Sequence, residues 1–328
     1  MDTLGKVHGS LQRSDPPLNQ FLPREAPMEM AVPLPPFRPQ AQASEFARAW
    51  PRRAYLLGGT VFLTLAGCYE MYEVLQVGGV TILEAIILAL FVLLFAWIAF
   101  SFMSAIAGFF VLMLRRKDEL GLDSSAPLPA IESRTAMLLP TYNEDPYSVL
   151  AQLRAVYESV EETGCASNFD WFVLSDTTDP AIWIAEEKYF LRLRDEAGNG
   201  ENFYRHRPEN TARKSGNIED WVKRFGSSYE CMLILDADSL MTGDTIVRLA
   251  AAMDEHRNVA LIQTLPIVVN ARTLFARWQQ FAERLYGPLI AAGIAGWHGS
   301  EGNYWGHNAI IRVRAFCPGR RASRTEGP

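Results

Sequence analysis

The sequence predicts an α/β protein with an open, mostly parallel sheet, preceded by a two-helix transmembrane hairpin. Three observations carry that expectation. Two long apolar runs lie between residues 54 and 114, the pattern then changes to short apolar strands alternating with amphipathic helices, and polar clusters fall where those strands end. At 328 residues the chain has room for one large domain or two ordinary ones, and a hydrophobic fraction of 49% points to contact with lipid. A formal charge of −6 supplies no basic footprint, so nucleic acid is excluded as a partner. Cys68, Cys165, Cys231 and Cys317 form no C-x-x-C pair and have no zinc-site spacing; they read as free thiols in a reducing compartment.

Residues 1–45 are rich in Pro, Gln and Arg, show no apolar period, and read as a disordered leader rather than a signal peptide. Residues 46–117 form the hairpin, with spans expected over 54–77 and 82–114; each exceeds the roughly 20 residues needed to cross about 30 Å of hydrocarbon. Arg48, Arg52 and Arg53 precede the first span and Arg115, Arg116 and Lys117 follow the second, whereas Gln76 to Thr81 between them carry no charge. That asymmetry places both ends on the cytoplasmic side of the membrane. Glu70 and Glu73 near the outer end of the first span read as interfacial residues, with a part in an export path as the alternative.

A Pro/Ser-containing linker over 118–133 leads to the α/β domain over 134–316. Strands are expected over Thr135–Leu139, Asp170–Ser175, Tyr229–Leu235 and Val259–Gln263, and helices over Pro146–Glu162, Ala181–Glu196, Ser215–Phe225 and Thr245–Glu255. The aromatic segment Leu274–Leu289 reads as a helix for core or membrane-surface packing. In an open sheet of this kind ligands sit beyond the carboxyl ends of the strands. Four polar clusters fall there: Pro140 to Asp145, Ser175 to Thr177, Asp236-Ala237-Asp238, and Gln263-Thr264; a fifth, Arg213 to Asn217, opens a helix.

Asp236 and Asp238 follow the apolar run Met232 to Leu235, so two oxygen ligands leave a buried strand on alternate residues. Such a pair suits Mg²⁺ or Mn²⁺, which keep waters and bind partly through substrate phosphates, although an isolated D-x-D is also common in loops and caps. Lys214 offers a cation, and Ser215 to Asn217 offer backbone N–H groups at a helix start, which together favour a diphosphate; an ordinary helix cap with a solvated basic pair fits the same residues. Asp176 is either a turn-former or a carboxylate for a base or ribose. Tyr304, Trp305, His307 and Asn308 combine aromatic faces with polar groups, a mixture that suits sugar rings, and His307 fits a satisfied loop histidine equally well.

Taken in order, Pro140 to Glu144, Ser175-Asp176, Lys214 to Asn217 and Asp236 to Asp238 resemble the nucleotide-binding half of the family 2 glycosyltransferases, which include cellulose synthases. Arg213 to Asp220, Leu235 to Asp244 and Glu301 to Arg312 resemble more narrowly the branch that makes osmoregulated periplasmic glucans, and the resemblance covers residues 45–316. It implies a GT-A (Rossmann-like) domain, UDP-glucose as donor, a divalent cation, inversion at the anomeric carbon and a growing β-glucan as acceptor. It further implies that Asp176 meets the base, Lys214 the diphosphate region, and Asp236 and Asp238 the metal and diphosphate, with Asn143 and Glu144 shaping the pocket and Tyr304 to Asn308 near the acceptor.

The resemblance also implies a carboxylate base after the acceptor segment, a later Q-x-x-R-W motif and further membrane helices. The sequence after Phe316 departs from the family, and Glu326 has no element to position it, so the expectation is a truncated or frame-shifted product that keeps donor binding without turnover. A cellulose- or hyaluronan-like synthase fragment and a non-catalytic membrane interaction module are the alternatives.

Overall fold

A computed structural model of the chain describes residues 22–28, 39–114, 120, 122–123, 125–196, 202–299 and 302–316. They form two compact units: one contains the described residues of 22–28, 125–262 and 306–316, the other those of 39–123 and 263–305. The former unit is built on a six-stranded sheet in the order β3-β2-β1-β4-β6-β5. Its strands are β1 (Thr135–Thr141), β2 (Phe169–Ser175), β3 (Asn202–His206), β4 (Cys231–Ile234), β5 (Leu261–Gln263) and β6 (Ala309–Arg312). Strands β1, β2, β3 and β4 run parallel, with Thr135 opposite both Phe169 and Cys231, while β6 runs antiparallel to β4.

Sequence and structure agree on the mostly parallel α/β domain, and they differ at the two ends of the sheet. Strands β3 and β6 were not expected from the sequence. β3 reads Asn-Phe-Tyr-Arg-His, in which buried Asn202 and Arg205 hide the apolar alternation. Expected strands over Tyr229–Leu235 and Val259–Gln263 are shorter in the structure, and β1 extends two residues further, to Thr141.

The parallel strands are apolar on both sides because helices cover both faces. On one face α5 (Arg213–Phe225) packs Ile218, Trp221 and Phe225 against Phe172, Leu138 and Ile234, with the Trp221 and Phe172 rings 5.3 Å apart edge to face. On the opposite face Trp171 meets Tyr157 of α3 (Pro146–Glu162) at 5.5 Å. Adjacent residues of β2 thus serve opposite cores, as a period of two requires. Helix α3 begins where expected, since Asp145 accepts the Ser148 N–H at 3.0 Å and Pro146 needs no partner at the first turn. Helices α4 (Pro180–Glu196) and α6 (Gly243–Glu255) complete the layers. The strand order reverses between β1 and β4, which makes the crevice beyond their carboxyl ends the natural ligand position.

The disordered-leader expectation needs correcting for residues 22–28. Ala26 and Met28 donate their N–H groups to the carbonyls of Arg224 (2.8 Å) and Lys223 (3.2 Å), Ser227 Oγ donates to Ala26 O at 2.8 Å, and Glu25 pairs with Arg224 at 2.7 Å. A helix end leaves carbonyls without partners, and this segment fills that need while Leu22 and Met28 pack against the core. The rest of the expected leader up to Arg38 lies outside the described residues, and from Pro39 the chain is helical.

The other unit contains α1 (Pro39–Leu75), α2 (Ile82–Met113) and α7 (Leu274–His298). Helices α1 and α2 pack together with Gly59 against Met103 and Gly67 against Phe95, joined by a turn with Gly78 and Gly79 at φ 98° and 94°. Thr81 and Glu84 form a reciprocal capping box at the start of α2. By length and composition, α2 is the one helix among the described residues apolar enough to cross a membrane, with a mean hydropathy of 2.8. Gly58, Gly59, Gly67, Glu70 and Glu73 dilute the corresponding stretch of α1. Arg115, Arg116 and Lys117, which entered the orientation reading, lie outside the described residues, as do Glu301 and the segment 317–328.

Candidate functional site

Beyond Ile234 the ladder continues for one residue, with Leu235 N–H donating to Leu138 O at 2.9 Å, and the chain then turns, Ser239 N–H reaching Asp236 O at 3.1 Å. Ala237 is buried, so Asp236 and Asp238 are carried on either side of an anchored residue, Asp236 half-buried and Asp238 exposed. Lys214 Nζ forms an ion pair with Asp236 Oδ1, and the two side chains are 35% and 32% exposed. The Glu144 carboxyl, at the end of β1, is held above the usual carboxylate range, first by partial desolvation and then by the negative charges of Asp238 and Asp236. The ends of β1 and β4 and the start of α5 therefore place three carboxylates and one ammonium within electrostatic reach.

Lys214 reaches this position through a costly turn. Ala212 and Arg213 both adopt left-handed backbone, at φ 56° and 53°, a conformation that L residues with side chains avoid. A Cβ on Gly216 would overlap the Thr211 carbonyl oxygen, so only glycine lets α5 begin here. Asn217 holds the turn to the sheet: its Nδ2 donates to Leu174 O at 2.9 Å, and Arg205 Nη2 donates to Asn217 O at 3.0 Å. Arg205 also pairs with Asp220, and burial pushes its guanidinium down to about 10. Within one short motif Lys214, Gly216 and Asn217 thus divide the labour: cation, close approach and anchor.

Asp176 lies immediately after β2 and is buried, with its N–H donated to Thr141 O at 2.9 Å. Arg207, one residue past β3, donates through Nε and Nη2 to the two oxygens of Asp176, each at 2.7 Å. This bidentate pair fixes the carboxylate plane. Beneath it, buried Glu186 of α4 accepts hydrogen bonds from Ser175 Oγ (2.6 Å), Thr177 Oγ1 (2.8 Å) and Tyr204 Oη (3.2 Å). Asn143, at φ 52°, ties the β1 loop to the β2 loop: its Oδ1 accepts from the Thr178 and Asp179 N–H groups at 3.0 and 3.1 Å, and its own N–H donates to Thr177 Oγ1. Asn143 accordingly ties the loops that follow β1 and β2 to one another.

Six sequence-derived residues, Asn143, Glu144, Asp176, Lys214, Asp236 and Asp238, therefore occur at the carboxyl ends of β1, β2 and β4 and at the start of α5, all in one unit. Arg207, Arg205 and Glu186 were missed. Arg207 and Arg205 depend on β3, which the sequence did not reveal, and Glu186 reads in sequence as one more charge on an amphipathic helix. The four residues of the acceptor region divide between units. Tyr304 and Trp305 belong with α7, exposed, Trp305 N–H donating to Gln263 Oε1 at 2.9 Å. His307 and Asn308 lead into β6 in the sheet unit, Asn308 buried at φ 46° and His307 Nδ1 buried without a hydrogen-bond partner among the described residues.

Among the described residues no group of three or more His, Cys, Asp or Glu side chains forms a closed metal cage. Asp236 and Asp238 offer an open pair of oxygen ligands, which is the donor set suited to a hard cation that completes its shell with water and phosphate.

The model of the family described as glycosyl transferase family 2 matches residues 137–317. The chain is 61% identical over 321 residues to a protein of Rhodopseudomonas palustris named glucans biosynthesis glucosyltransferase H, covering 97% of this chain and 45% of that protein. Proteins of the same name from Bradyrhizobium diazoefficiens and Xanthomonas campestris pv. campestris are 57% and 56% identical over 97% and 90% of this chain. The chain spans less than half the length of these curated relatives. Among solved structures, the mannosyltransferase PcManGT from Pyrobaculum calidifontis, in complex with GDP-Man and Mn2+, matches at a TM-score of 0.44 and 15% identity, over 66% of this chain and 54% of its own. A family match over more than half of the sequence, falling on the sheet and on the carboxylate-bearing strand ends, places this chain in glycosyl transferase family 2.

Proposed function

We propose that the chain carries the donor-binding half of a membrane-bound inverting glucosyltransferase that uses UDP-glucose and Mg²⁺ or Mn²⁺ to build the β-glucan backbone of osmoregulated periplasmic glucans. The observation that carries this reading is the pairing of Lys214 with Asp236 at the strand-order reversal, beside Asp238 and Glu144. The names and high identity of the relatives support the choice of glucan and of glucose as the transferred sugar.

In this reading Asp236 and Asp238 hold the cation, and Lys214 exchanges its carboxylate partner for a diphosphate oxygen when donor enters. The cation would neutralise the charge that develops on the leaving diphosphate. Asp176, oriented by Arg207, meets the nucleoside base, while Asn143 and Glu144 line the same pocket. An inverting transfer also needs a group that removes the acceptor proton, and none of these six residues is assigned that role. Tyr304, Trp305, His307 and Asn308 are assigned to the acceptor. The chain sits in the bacterial inner membrane as a multi-pass protein, with its N-terminus and transferase domain cytoplasmic.

Calorimetric titration of the full chain in nanodiscs tests the reading. UDP-glucose should bind only with Mg²⁺ or Mn²⁺ present, and Asp236→Asn or Asp238→Asn should weaken binding roughly tenfold or more, the loss of one charge-assisted contact. Metal-independent affinity, or unchanged affinity in both variants, would remove the donor-site assignment.

A further inference from the structure

The segment between β5 and β6 leaves the sheet unit and enters the one that contains α1 and α2. Its helix, α7, has two unlike halves. In the C-terminal half, Leu289, Gly293 and Trp297 face Gly108, Ser104 and Phe100 of α2, steps of four residues on each helix running in opposite senses. A Cβ on Gly108 would overlap Leu289 O, and one on Gly293 would overlap Ser104 O. Ser104 and Gly108 thus form a small-xxx-small seam, the device by which helix backbones come close in a lipid environment.

The end of α7 is closed by two arginines of α1. Arg52 Nη1 donates to Gly296 O at 2.9 Å, and Arg53 donates to Trp297 O and His298 O at 3.2 and 3.3 Å. Helix ends leave carbonyls without partners, and the two guanidinium groups fill that need. The positions that mark membrane orientation in the sequence therefore also cap a neighbouring helix.

The N-terminal half is amphipathic. Leu274, Phe275, Trp278, Phe281 and Leu285 share one side at helical spacing and are 50–70% exposed, while Arg277, Gln280 and Arg284 occupy the other. Nothing among the described residues covers that apolar row. It is continuous along the same helix with the seam on α2, whose own surface is apolar enough to cross a bilayer.

We infer that α7 is seated against the membrane, its C-terminal half packed on α2 and its N-terminal half leading out through the headgroup layer, with the exposed row from Phe275 to Leu285 in contact with lipid. The partner is the lipid bilayer, with anionic headgroups favoured by Arg272, Arg277 and Arg284. This inference rests on the membrane reading of α2 and is independent of donor binding.

Single cysteines labelled with an environment-sensitive fluorophore, in a background with Cys68, Cys165 and Cys317 replaced by Ser, test it in the full chain reconstituted into vesicles of phosphatidylcholine and phosphatidylglycerol. Labels at Phe281→Cys and Leu285→Cys should be blue-shifted and quenched by spin-labelled lipid, whereas one at Gln280→Cys should be quenched by aqueous iodide. Leu93→Cys on α2 is the control: if lipid fails to quench it, the membrane reading itself falls. If Leu93→Cys lies in lipid while Phe281→Cys and Leu285→Cys respond to iodide, or are blue-shifted without lipid quenching because protein covers them, the seating of α7 is overturned. A short bismaleimide should join Phe100→Cys to Trp297→Cys in the same vesicles, and Gly293→Leu should abolish that product; absence of the cross-link in the parent pair would refute the seam.

Discussion

Replacing Arg207 by alanine should be among the most damaging single changes near the carboxyl ends of the parallel strands, and the structure sets its scale. Asp176 is 3% exposed and Arg207 14%, and both carboxylate oxygens accept from the one guanidinium. Removing the cation leaves a buried negative charge without compensation, a loss of about 3–5 kcal/mol in buried pairs of this kind. For a domain of this size each kcal/mol moves Tm by roughly 2–4 °C, so Arg207→Ala should lower Tm by roughly 6–20 °C. The contrast is Arg154, whose partners Glu158 and Glu196 are 55% and 56% exposed; Arg154→Ala should leave Tm nearly unchanged, because solvent screens both pairs. Arg207→Lys should fall between wild type and alanine, because it keeps the charge and loses the two-pronged geometry. Thermal unfolding of the full chain in detergent, followed by circular dichroism, measures all three. Arg207→Ala combined with Asp176→Asn should be less destabilised than the sum of the single changes. Equal shifts for Arg207→Ala and Arg154→Ala, or strict additivity in the double variant, would refute the claim that this pair is a coupled buried unit.

Other expectations are open to direct measurement. Lys214→Met should change stability by no more than about 1 kcal/mol, since the Lys214–Asp236 pair is about one-third exposed on each side, while weakening UDP binding in a titration. Gly216→Ala should disturb the start of α5, because the added Cβ meets backbone rather than a movable side chain; a lowered Tm together with lost UDP binding is the expected result. Burial pushes the Cys231 thiol up to about 12, so at pH 8 its thiolate is scarce and its sulfur inaccessible. Iodoacetamide mass mapping of the folded chain should therefore modify half-buried Cys165 well before Cys231, with the difference abolished in denaturant.

Much of the candidate site was legible because its carboxylates and its cation sit close to one another within short stretches of the chain. Asp236 and Asp238 flank a single residue after an apolar run, and Lys214, Gly216 and Asn217 share one short motif. Helix α3 matched its expected bounds, since Asp145 and Pro146 announce its start locally. Arg207 and Glu186 stayed hidden for the opposite reason: their partners, Asp176, Ser175, Thr177 and Tyr204, lie on other elements, and no local pattern announces them. Strand β3 escaped because Asn202 and Arg205 are buried yet polar, which breaks the alternation a sequence reading depends on. The docking of residues 22–28 onto α5 escaped because a short Pro-flanked segment has no period of its own; free carbonyls on a distant helix gave it its place.

The order of residues was enough to reveal the class of domain, its nucleotide-sugar family resemblance and the carboxylates at the strand ends, since each depends on neighbours within a few positions. Which charges neutralise one another was settled only by folding. Asp176 meets Arg207 through the parallel pairing of β2 with β3, and Asp236 meets Lys214 because α5 is anchored by Asn217 to the β2 carbonyl of Leu174. Folding also gave Arg52 and Arg53, which the sequence presents as orientation signals, their second task of closing the end of α7. Coulomb attraction and hydrogen bonding act over a few ångströms of space, and only the folded chain brings residues 244 and 245 positions apart within that reach.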